Sequence, residues 1–260
     1  MTRFHTCIAL LAVGAFGVVA CHQAGPARGE DFRVDNAVYA EGQKEPSSES
    51  TTIFYGGVVY DCLKSPAETV VFDPKTGRFV LLNLTRRKRT ELTTAEITMF
   101  INGLRPKAAE SKDPLMKFLA EPKFQERSDE ATHELTLSSP WISYRLVLAP
   151  ESSPSVVEQY HEFCDWYARL NTLLVPGSRP PFGRLVVNAA VAKRQATASH
   201  ILLTVVSGNE TKQQRTTIRS EHRVVRPLDP ADLDRVAQAR ESLSSFKLVD
   251  FKQYRKIEPR

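Results

Sequence analysis

Short apolar runs separated by tight turns fill residues 50–92. Gly56-Gly57 divides the run TTIFY from VVYDC, and a Gly-Gly pair supplies the positive φ angles that a two-residue hairpin needs. Asp73-Pro74-Lys75-Thr76-Gly77 divides ETVVF from RFVLLNL, because Pro74 presets φ and Gly77 can take the left-handed conformation that closes a turn. Strands joined in this way pair antiparallel. The pattern therefore predicts an antiparallel meander.

Apolar residues at helical spacing follow the meander. They predict helices that begin at or near Thr93, Asp113, Ser155, Arg184 and Asp229. Thr93 with Glu96, and Ser155 with Glu158, fit the capping box, in which two side chains bind the free amides of a helix start. The widest apolar stripe covers residues 155–174, which predicts a helix packed into a concave surface or between two layers.

Further strands are predicted where apolar and polar residues alternate, at residues 31–39, 133–148 and 216–225, and at the apolar run of residues 200–206, which pairs with 216–225 around a polar loop. A short strand is also predicted in the tail, at residues 246–254. The runs VVF, FVLL and ILLTVV are continuously apolar, which predicts that the sheet is covered on both faces in places. We expect an α+β fold, with a curved antiparallel β-sheet of about ten strands that forms an incomplete barrel. Helices are expected on or inside its concave face.

The first 20 residues have the layout of an export signal peptide. Arg3 precedes an uncharged apolar stretch, residues 7–20, which is shorter than the roughly 20 residues that a membrane-spanning helix needs. Val18-Val19-Ala20-Cys21 resembles a bacterial lipobox and predicts lipid attachment at Cys21, with an anchor made of acyl chains. Ordinary signal-peptidase cleavage, after Ala20 or Gly29, is the main alternative, and an uncleaved signal anchor retained in the membrane is the other.

Both cleavage alternatives predict an exported protein, either periplasmic or anchored as a lipoprotein to a bacterial envelope membrane. Residues 21–30 are interpreted as a flexible spacer and residues 31–260 as a single domain. A body of that length is large enough to bury a sizeable core. Hydrophobic residues at 42% and charged residues at 25% are ordinary for a globular domain.

The net charge of +5 is spread along the chain without basic runs that alternate with aromatic residues, so nucleic acid is not an expected partner. One dense basic run, residues 86–89, lies between two predicted strands. We interpret it as a solvated turn, with contact to anionic lipid head groups or an acidic partner as the alternative.

The body of the chain contains two cysteines, Cys62 and Cys164. An oxidising compartment permits a disulfide between them, which would close a loop of about 100 residues and stabilise the fold by on the order of 4–5 kcal/mol in the chain-entropy model. The alternative is two small buried thiols, because free cysteine is often buried. The sequence leaves both alternatives open.

Sequence motifs for catalysis are missing: there is no G-x-S-x-G elbow, no phosphate-binding glycine loop and no zinc spacing such as C-x-x-C or H-E-x-x-H. His161 and Asp165 are four residues apart on a predicted helix and could supply two metal ligands. An exposed charged face, with Glu162 paired to Arg169, is the alternative. His222 is interpreted as part of the polar alternation of a strand. No catalytic residue, metal or cofactor is predicted.

The run VVFDPKTGRFVLLNLTRRKRTEL resembles the strand–turn–strand core of the LolA-like superfamily of outer-membrane lipoprotein carriers. The chain is also similar to uncharacterised secreted bacterial proteins that carry TTIFYGG-VVYD, LSSPW and DPADLDRVAQARESL. The resemblance implies a half-barrel closed by helices, with an apolar cavity that takes acyl chains. Carriers of this superfamily commonly have an amphipathic helix before the first strand, and none is predicted here.

Three functions are compatible with these features. The first is a non-catalytic envelope module on a half-barrel scaffold that binds a partner protein, or a lipid or acylated protein in its cavity. The second is a lipid or lipoprotein carrier. The third, an enzyme with an unrecognised hydrolytic or metal-dependent site, has the least support because no nucleophile, base or metal spacing is present.

Overall fold

The computed structural model describes residues 29–151, 153–209 and 212–256. The predicted signal peptide, Cys21 and all but the last two residues of the predicted spacer lie outside this part of the chain. The fold is α+β, as expected, and is built on one large, open, curved and mostly antiparallel sheet.

The sheet has 12 strands, which are β1 (Phe32–Ala40), β2 (Ser48–Tyr55), β3 (Val58–Leu63), β4 (Glu68–Asp73), β5 (Arg78–Asn83), β6 (Lys88–Thr93), β7 (Gln125–Asp129), β8 (Glu134–Ser138), β9 (Ile142–Pro150), β10 (Ala196–Asn209), β11 (Lys212–Val225) and β12 (Lys247–Leu248). Their order is β12-β6-β5-β4-β3-β2-β1-β11-β10-β9-β8-β7. Strands β1–β6 form one meander and β7–β11 form another. The two meanders join where β1 pairs antiparallel with β11.

The expected number of about ten strands was too low. Strand β7 is exposed at every position, so it has no buried alternation by which the sequence could reveal it. The predicted tail strand is reduced to β12, a parallel addition to β6. The unpredicted strand β7 and the shortened tail strand β12 lie at the two edges of the sheet. The meander around Gly56-Gly57 and Gly77 is confirmed, with positive φ at each of these glycines.

The helices are α1 (Thr94–Asn102), α2 (Leu104–Ala109), α3 (Pro114–Ala120), α4 (Pro154–Leu174), α5 (Phe182–Ala192), α6 (Pro230–Ser245) and α7 (Phe251–Arg255). The capping box of Thr93 and Glu96 is confirmed. The one predicted for Ser155 and Glu158 was wrong, because the N-cap of α4 is Ser153, which places Pro154 at the first helical position that proline favours. No helix in the described ranges has both the length and the hydropathy needed to cross a membrane.

We call the sheet face that α4 and α5 cover the inner face, and the face that α6 covers the outer face. On the inner face, the opposed pairs Phe32–Phe54 and Phe72–Phe79 stack with ring centroids 4.2 Å apart. Phe163 of α4 packs against both pairs, at 5.9 Å from Phe54 and 6.4 Å from Phe72. These rings form the centre of a core between α4 and strands β1–β5.

A second core lies on the inner face of the other meander. There α3 and α5 cover β8, β9 and β10 through Leu119, Val187, Leu135 and Leu146, all of which are buried. Because α4 and α5 each cover one half of the sheet, the two cores are separate clusters. The joining strands β1 and β11 contribute to the first core through Phe32, Val34 and Val224.

The outer face of β2–β5 is covered by α6. Val71, Val80 and Leu82 point to α6, while their neighbours Phe72 and Leu81 belong to the inner core. The prediction that VVF and FVLL are covered on both faces is therefore confirmed. The same interpretation of ILLTVV was wrong, because Leu202 lies on the outer face between the strand partners Arg145 and Arg219 and is packed in none of the clusters.

Helix α6 is fixed to the sheet by Arg33 on β1. Its Nη1 donates to Oδ2 of Asp232 at 2.8 Å and to Oδ2 of Asp229 at 2.6 Å. Asp232 is fully buried and also accepts from Arg235 at 3.0 Å. Asp229 and Asp232 in turn form the capping box of α6, so one cluster of charges sets both the start of the helix and its position on the sheet.

Candidate functional site

A cavity of about 430 Å³ lies between the two cores on the inner face. Its walls come from β1–β3, β9–β11, α4 and α5, and most of the lining is apolar, including Val34, Phe54, Leu146, Phe163 and Val187. The cavity lies between the core under α4 and the core under α5, where β1, β10 and β11 cross from one half of the sheet to the other. A space of this size and character is typical of a small-molecule site.

A row of polar side chains crosses the floor of this apolar cavity. We call it the polar row, and its members are Ser220, His222, Asn36, Ser50, Thr52 and Asp61. The strand register brings them together, because Asn36 lies directly opposite His222 on one side and Ser50 on the other, and Thr52 lies opposite Asp61. Cross-strand neighbours on one face are close enough for their side chains to bond.

The hydrogen bonds of the polar row run in one direction. Nδ2 of Asn36 lies 3.2 Å from the carbonyl oxygen of Val34, which can only accept, so the amide oxygen of Asn36 faces His222. Nδ1 of His222 therefore carries the proton and donates to that oxygen at 2.8 Å. Its Nε2 accepts from the hydroxyl of Ser220 at 3.0 Å.

On the other side of Asn36 the row continues to a carboxyl group. Nδ2 of Asn36 donates to Oγ1 of Thr52 at 2.9 Å and to Oγ of Ser50 at 3.2 Å. The hydroxyl of Thr52 in turn donates a hydrogen bond to Oδ1 of Asp61 at 2.7 Å. The row thus starts at Ser220 and ends at Asp61.

Asp61 is the most buried ionisable group at the cavity. Its side chain is 1% exposed, and Oδ2 has no hydrogen-bond partner among the described residues. Burial raises the pKa of Asp61 above its ordinary value, and the nearby hydroxyls of Thr52, Ser50 and Tyr167 offset part of the rise. Ser50 and Tyr167 approach the carboxyl without reaching hydrogen-bond geometry at Oδ2. A buried carboxyl oxygen therefore faces the cavity unsatisfied.

His222 is held in its neutral form. Burial lowers its pKa to about 4, and the positive charges of Arg184 and His200 add to the effect. A neutral imidazole is also what the hydrogen bonds require, because Nε2 accepts from Ser220. Asp61 is therefore the member of the polar row that can carry a negative charge, and none of the others carries a positive one.

Arg184 brings a positive charge to the cavity from α5. Its side chain is exposed, lines the cavity and forms no hydrogen bond or ion pair with another described residue. Burial raises the pKa values of Cys164 and Tyr167, and the charge of Arg184 opposes both rises. An apolar cavity with an unpaired guanidinium at one wall and an unpaired carboxyl oxygen at another favours a ligand that is apolar for most of its length and polar at separate points.

The structure separates the pair that could have supplied metal ligands. Nε2 of His161 donates to the carbonyl oxygen of Ala196 at 2.8 Å, whereas Asp165 accepts from Asn188 at 2.8 Å. The sequence interpretation paired Arg169 with Glu162, whereas in the structure Arg169 forms an ion pair with Asp165 at 3.8 Å. Within the described ranges, no group of three or more His, Cys, Asp or Glu side chains is arranged to hold a metal ion.

Cys62 and Cys164 are free thiols, and the sheet separates them. Cys164 lines the cavity from α4, whereas Cys62 lines a groove on the outer face beside Arg235. Burial raises the pKa of both thiols, that of Cys164 to about 11. The side chains of β3 alternate, so Asp61 faces the cavity and its neighbour Cys62 faces away from it.

The basic run at residues 86–89 contacts the C-terminal segment. Arg86 donates to the carbonyl oxygens of Tyr254 and Lys256 at 2.7 and 2.8 Å. The guanidinium of Arg87 lies 5.2 Å from the ring centre of Phe246. The prediction of a solvated turn is correct for Arg86 and Arg87 only, with Arg87 at positive φ, because Lys88 and Arg89 already belong to β6. The two turn residues hold the segment of residues 246–256 against the sheet.

The residues of the polar row were not recognised from the sequence, although a signal exists. On β11, the inner-face set is Ile218, Ser220, His222 and Val224, of which the first three line the cavity, and the outward set is rich in charge. On β3, Asp61 interrupts an apolar strand on the same side as Val59 and Leu63. A polar residue inside an apolar alternation marks these positions.

No family model matches the chain, and no curated protein matches it. The LolA-like assignment therefore stays a prediction, and the function has to be inferred from the cavity.

Proposed function

We propose that this protein is a non-catalytic, exported envelope protein that binds the apolar chain of a lipid or acylated ligand in the cavity of a LolA-like half-barrel. The observation that carries this proposal is the cavity of about 430 Å³ between two separate cores, with apolar walls and one carboxyl oxygen without a partner. In this proposal the inner face is the concave side of the half-barrel.

The lining supports an acyl chain as the apolar part of the ligand. Phe54 and Phe163 from one core and Leu146 and Val187 from the other offer surface on both sides of the cavity. Each methylene group that leaves water contributes roughly 0.8 kcal/mol. Arg184 supports an anionic group on the ligand, because a guanidinium binds carboxylate or phosphate through paired hydrogen bonds.

Binding of a fluorescent fatty acid, 11-(dansylamino)undecanoic acid, tests the proposal. We expect saturable binding that palmitic acid displaces. Val187→Trp should fill the cavity and weaken binding at least tenfold. Val186→Trp is the matched control, since Val186 immediately precedes Val187 on α5, is 37% exposed and is not part of the lining. Absence of saturable binding, or equal loss in both variants at unchanged thermal stability, would contradict the proposal.

Export and lipid anchoring at Cys21 are a separate part of the proposal, supported by the apolar stretch and lipobox pattern in the sequence. Metabolic labelling with a fatty-acid probe in a bacterial host tests the anchor. The label should be lost in Cys21→Ala and kept in Cys7→Ala, the matched control within the same segment. Equal labelling of wild type and Cys21→Ala would refute attachment at Cys21.

A further inference from the structure

We infer that Asp61 is a recognition residue: the apolar chain that enters the cavity carries a neutral hydrogen-bond donor, a hydroxyl or an amide N–H, that binds Oδ2 of Asp61. This inference rests on the proposed function and narrows its ligand to hydroxylated or amide-containing acyl chains.

The first support is the position of Asp61. The residue is 1% exposed, lines the cavity and has an oxygen without a partner among the described residues. Burying such an oxygen is unfavourable unless a donor reaches it. A donor on a ligand in the cavity would satisfy it.

The second support is the direction of the polar row. Ser220 donates to His222, His222 to Asn36, Asn36 to Thr52, and Thr52 to Oδ1 of Asp61. These four donors are thereby committed, and the bond from Thr52 fixes the carboxyl so that Oδ2 is left to accept. The hydroxyls of Ser50 and Tyr167 lie near the carboxyl, but neither forms a hydrogen bond to Oδ2, so that oxygen can still take a proton from a ligand.

The third support concerns the charge of the donor. An ammonium group would also bind a carboxylate, but Arg184 already places a positive charge at the same cavity. Like charges repel more strongly in an apolar surrounding than in water. A neutral hydroxyl or amide escapes this repulsion, so the geometry favours it over an amine.

Competition against bound 11-(dansylamino)undecanoic acid at pH 8 tests the inference. The competitors are palmitic acid and two series of 16-carbon acids with one hydroxyl or one keto group at successive carbons along the chain. At the carbon that reaches Asp61, the hydroxy acid should bind about tenfold more tightly than the keto acid or palmitic acid, as expected for one buried hydrogen bond to a charged acceptor.

Asp61→Asn should abolish or reverse the preference for the hydroxy acid. Thr52 needs an acceptor, so the amide oxygen of the new side chain would take the place of Oδ1 and its NH2 group would face the cavity. Asp61→Leu, which removes both oxygens, should bind all three acids alike. Cys62→Ala, on the outer face of the same strand, is the matched control and should keep the wild-type preference.

The outcomes separate the inference from the proposed function. If all acids displace the probe equally from wild type, or if the preference survives in Asp61→Asn, the inference is overturned and the proposed function stands. If no acid displaces the probe, both are overturned. The comparison of acids on the wild-type protein decides the matter even if a variant fails to fold.

Discussion

Oγ1 of Thr52 donates a hydrogen bond of 2.7 Å to Oδ1 of Asp61, directly across strands β2 and β3. Both side chains are buried, with exposures of 4% and 1%. This bond is the last link of the polar row and holds the carboxyl with its other oxygen unsatisfied. A buried group of this kind is unfavourable for folding, and its presence at the cavity is more readily explained by binding than by stability.

Asp61→Asn should stabilise the protein at pH 8 and not at pH 3. Burial raises the pKa of Asp61, so the folded protein holds this proton more tightly than the unfolded chain. The carboxyl favours folding most below the pKa of the unfolded chain and loses that contribution as the pH rises through the folded value. Replacing the carboxylate by an amide should raise the free energy of unfolding by about 1–3 kcal/mol at pH 8, measured by urea unfolding. Destabilisation of equal size at both pH values would contradict this expectation.

Thr52→Val should destabilise the protein by about 1–3 kcal/mol, because it leaves the buried carboxyl of Asp61 without its donor. Thr51→Val is the control, since Thr51 points to the opposite face. In the double variant Thr52→Val/Asp61→Leu both polar partners are gone, and stability should return to near the wild-type value. Additive losses in the double variant would show that the two residues act independently.

The contribution of His222 to stability should fall as the pH drops from 6.5 towards 4, opposite in sign to that of Asp61. His222 has a pKa of about 4 in the folded protein, while the ordinary value is 6.5, so the unfolded chain binds the extra proton in this window. The difference amounts to about 3 kcal/mol by pH 4. His222→Gln should flatten the pH dependence in this window, and His200→Gln, at an exposed position on the outer face, should leave it largely unchanged. Equal slopes in wild type and His222→Gln would contradict the prediction.

The meander was predictable because its signals are local. Gly56-Gly57 and the turn at residues 73–77 fix hairpins between neighbouring strands, and alternation along each strand sets its faces. The cavity was not predictable in this way, because it depends on two helices that cover separate halves of the sheet. The polar row depends on a contact between Asn36 and His222, which are 186 residues apart in the sequence. No local pattern encodes that pairing, although the position of Asp61 within an apolar strand hinted at one of its members.

Cys164 should react with iodoacetamide far more slowly than an ordinary thiol. Its pKa of about 11, against an ordinary value of 9.0, leaves about a hundredfold less thiolate at pH 8. Peptide mapping after timed alkylation of the folded protein measures Cys62 and Cys164 separately, and in urea both should react at the same rate. A bound fatty acid should slow Cys164 further and leave Cys62 unaffected, because Cys164 alone of the two lines the cavity. Recovery of a disulfide-linked peptide containing both residues would overturn the free-thiol state.

Arg33→Met should be among the most destabilising single changes at the surface of the sheet, although Arg33 lies outside the cavity. Its guanidinium is 16% exposed and neutralises Asp232, whose side chain is fully buried under α6. Methionine keeps much of the apolar stem and removes the charge, so Asp232 would retain Arg235, which is 44% exposed, as its one cationic partner among the described residues. Loss of one partner of a buried ion pair costs about 3–5 kcal/mol, whereas loss of an exposed partner costs about 1 kcal/mol or less. Urea unfolding should therefore show a much larger loss of unfolding free energy for Arg33→Met than for Arg235→Met, and equal losses would mean that Arg33 does not fix α6 to the sheet.

Fatty-acid binding at low denaturant should be unchanged in both variants, because the charge cluster of Arg33, Asp229 and Asp232 lies at the outer face and the cavity at the inner one.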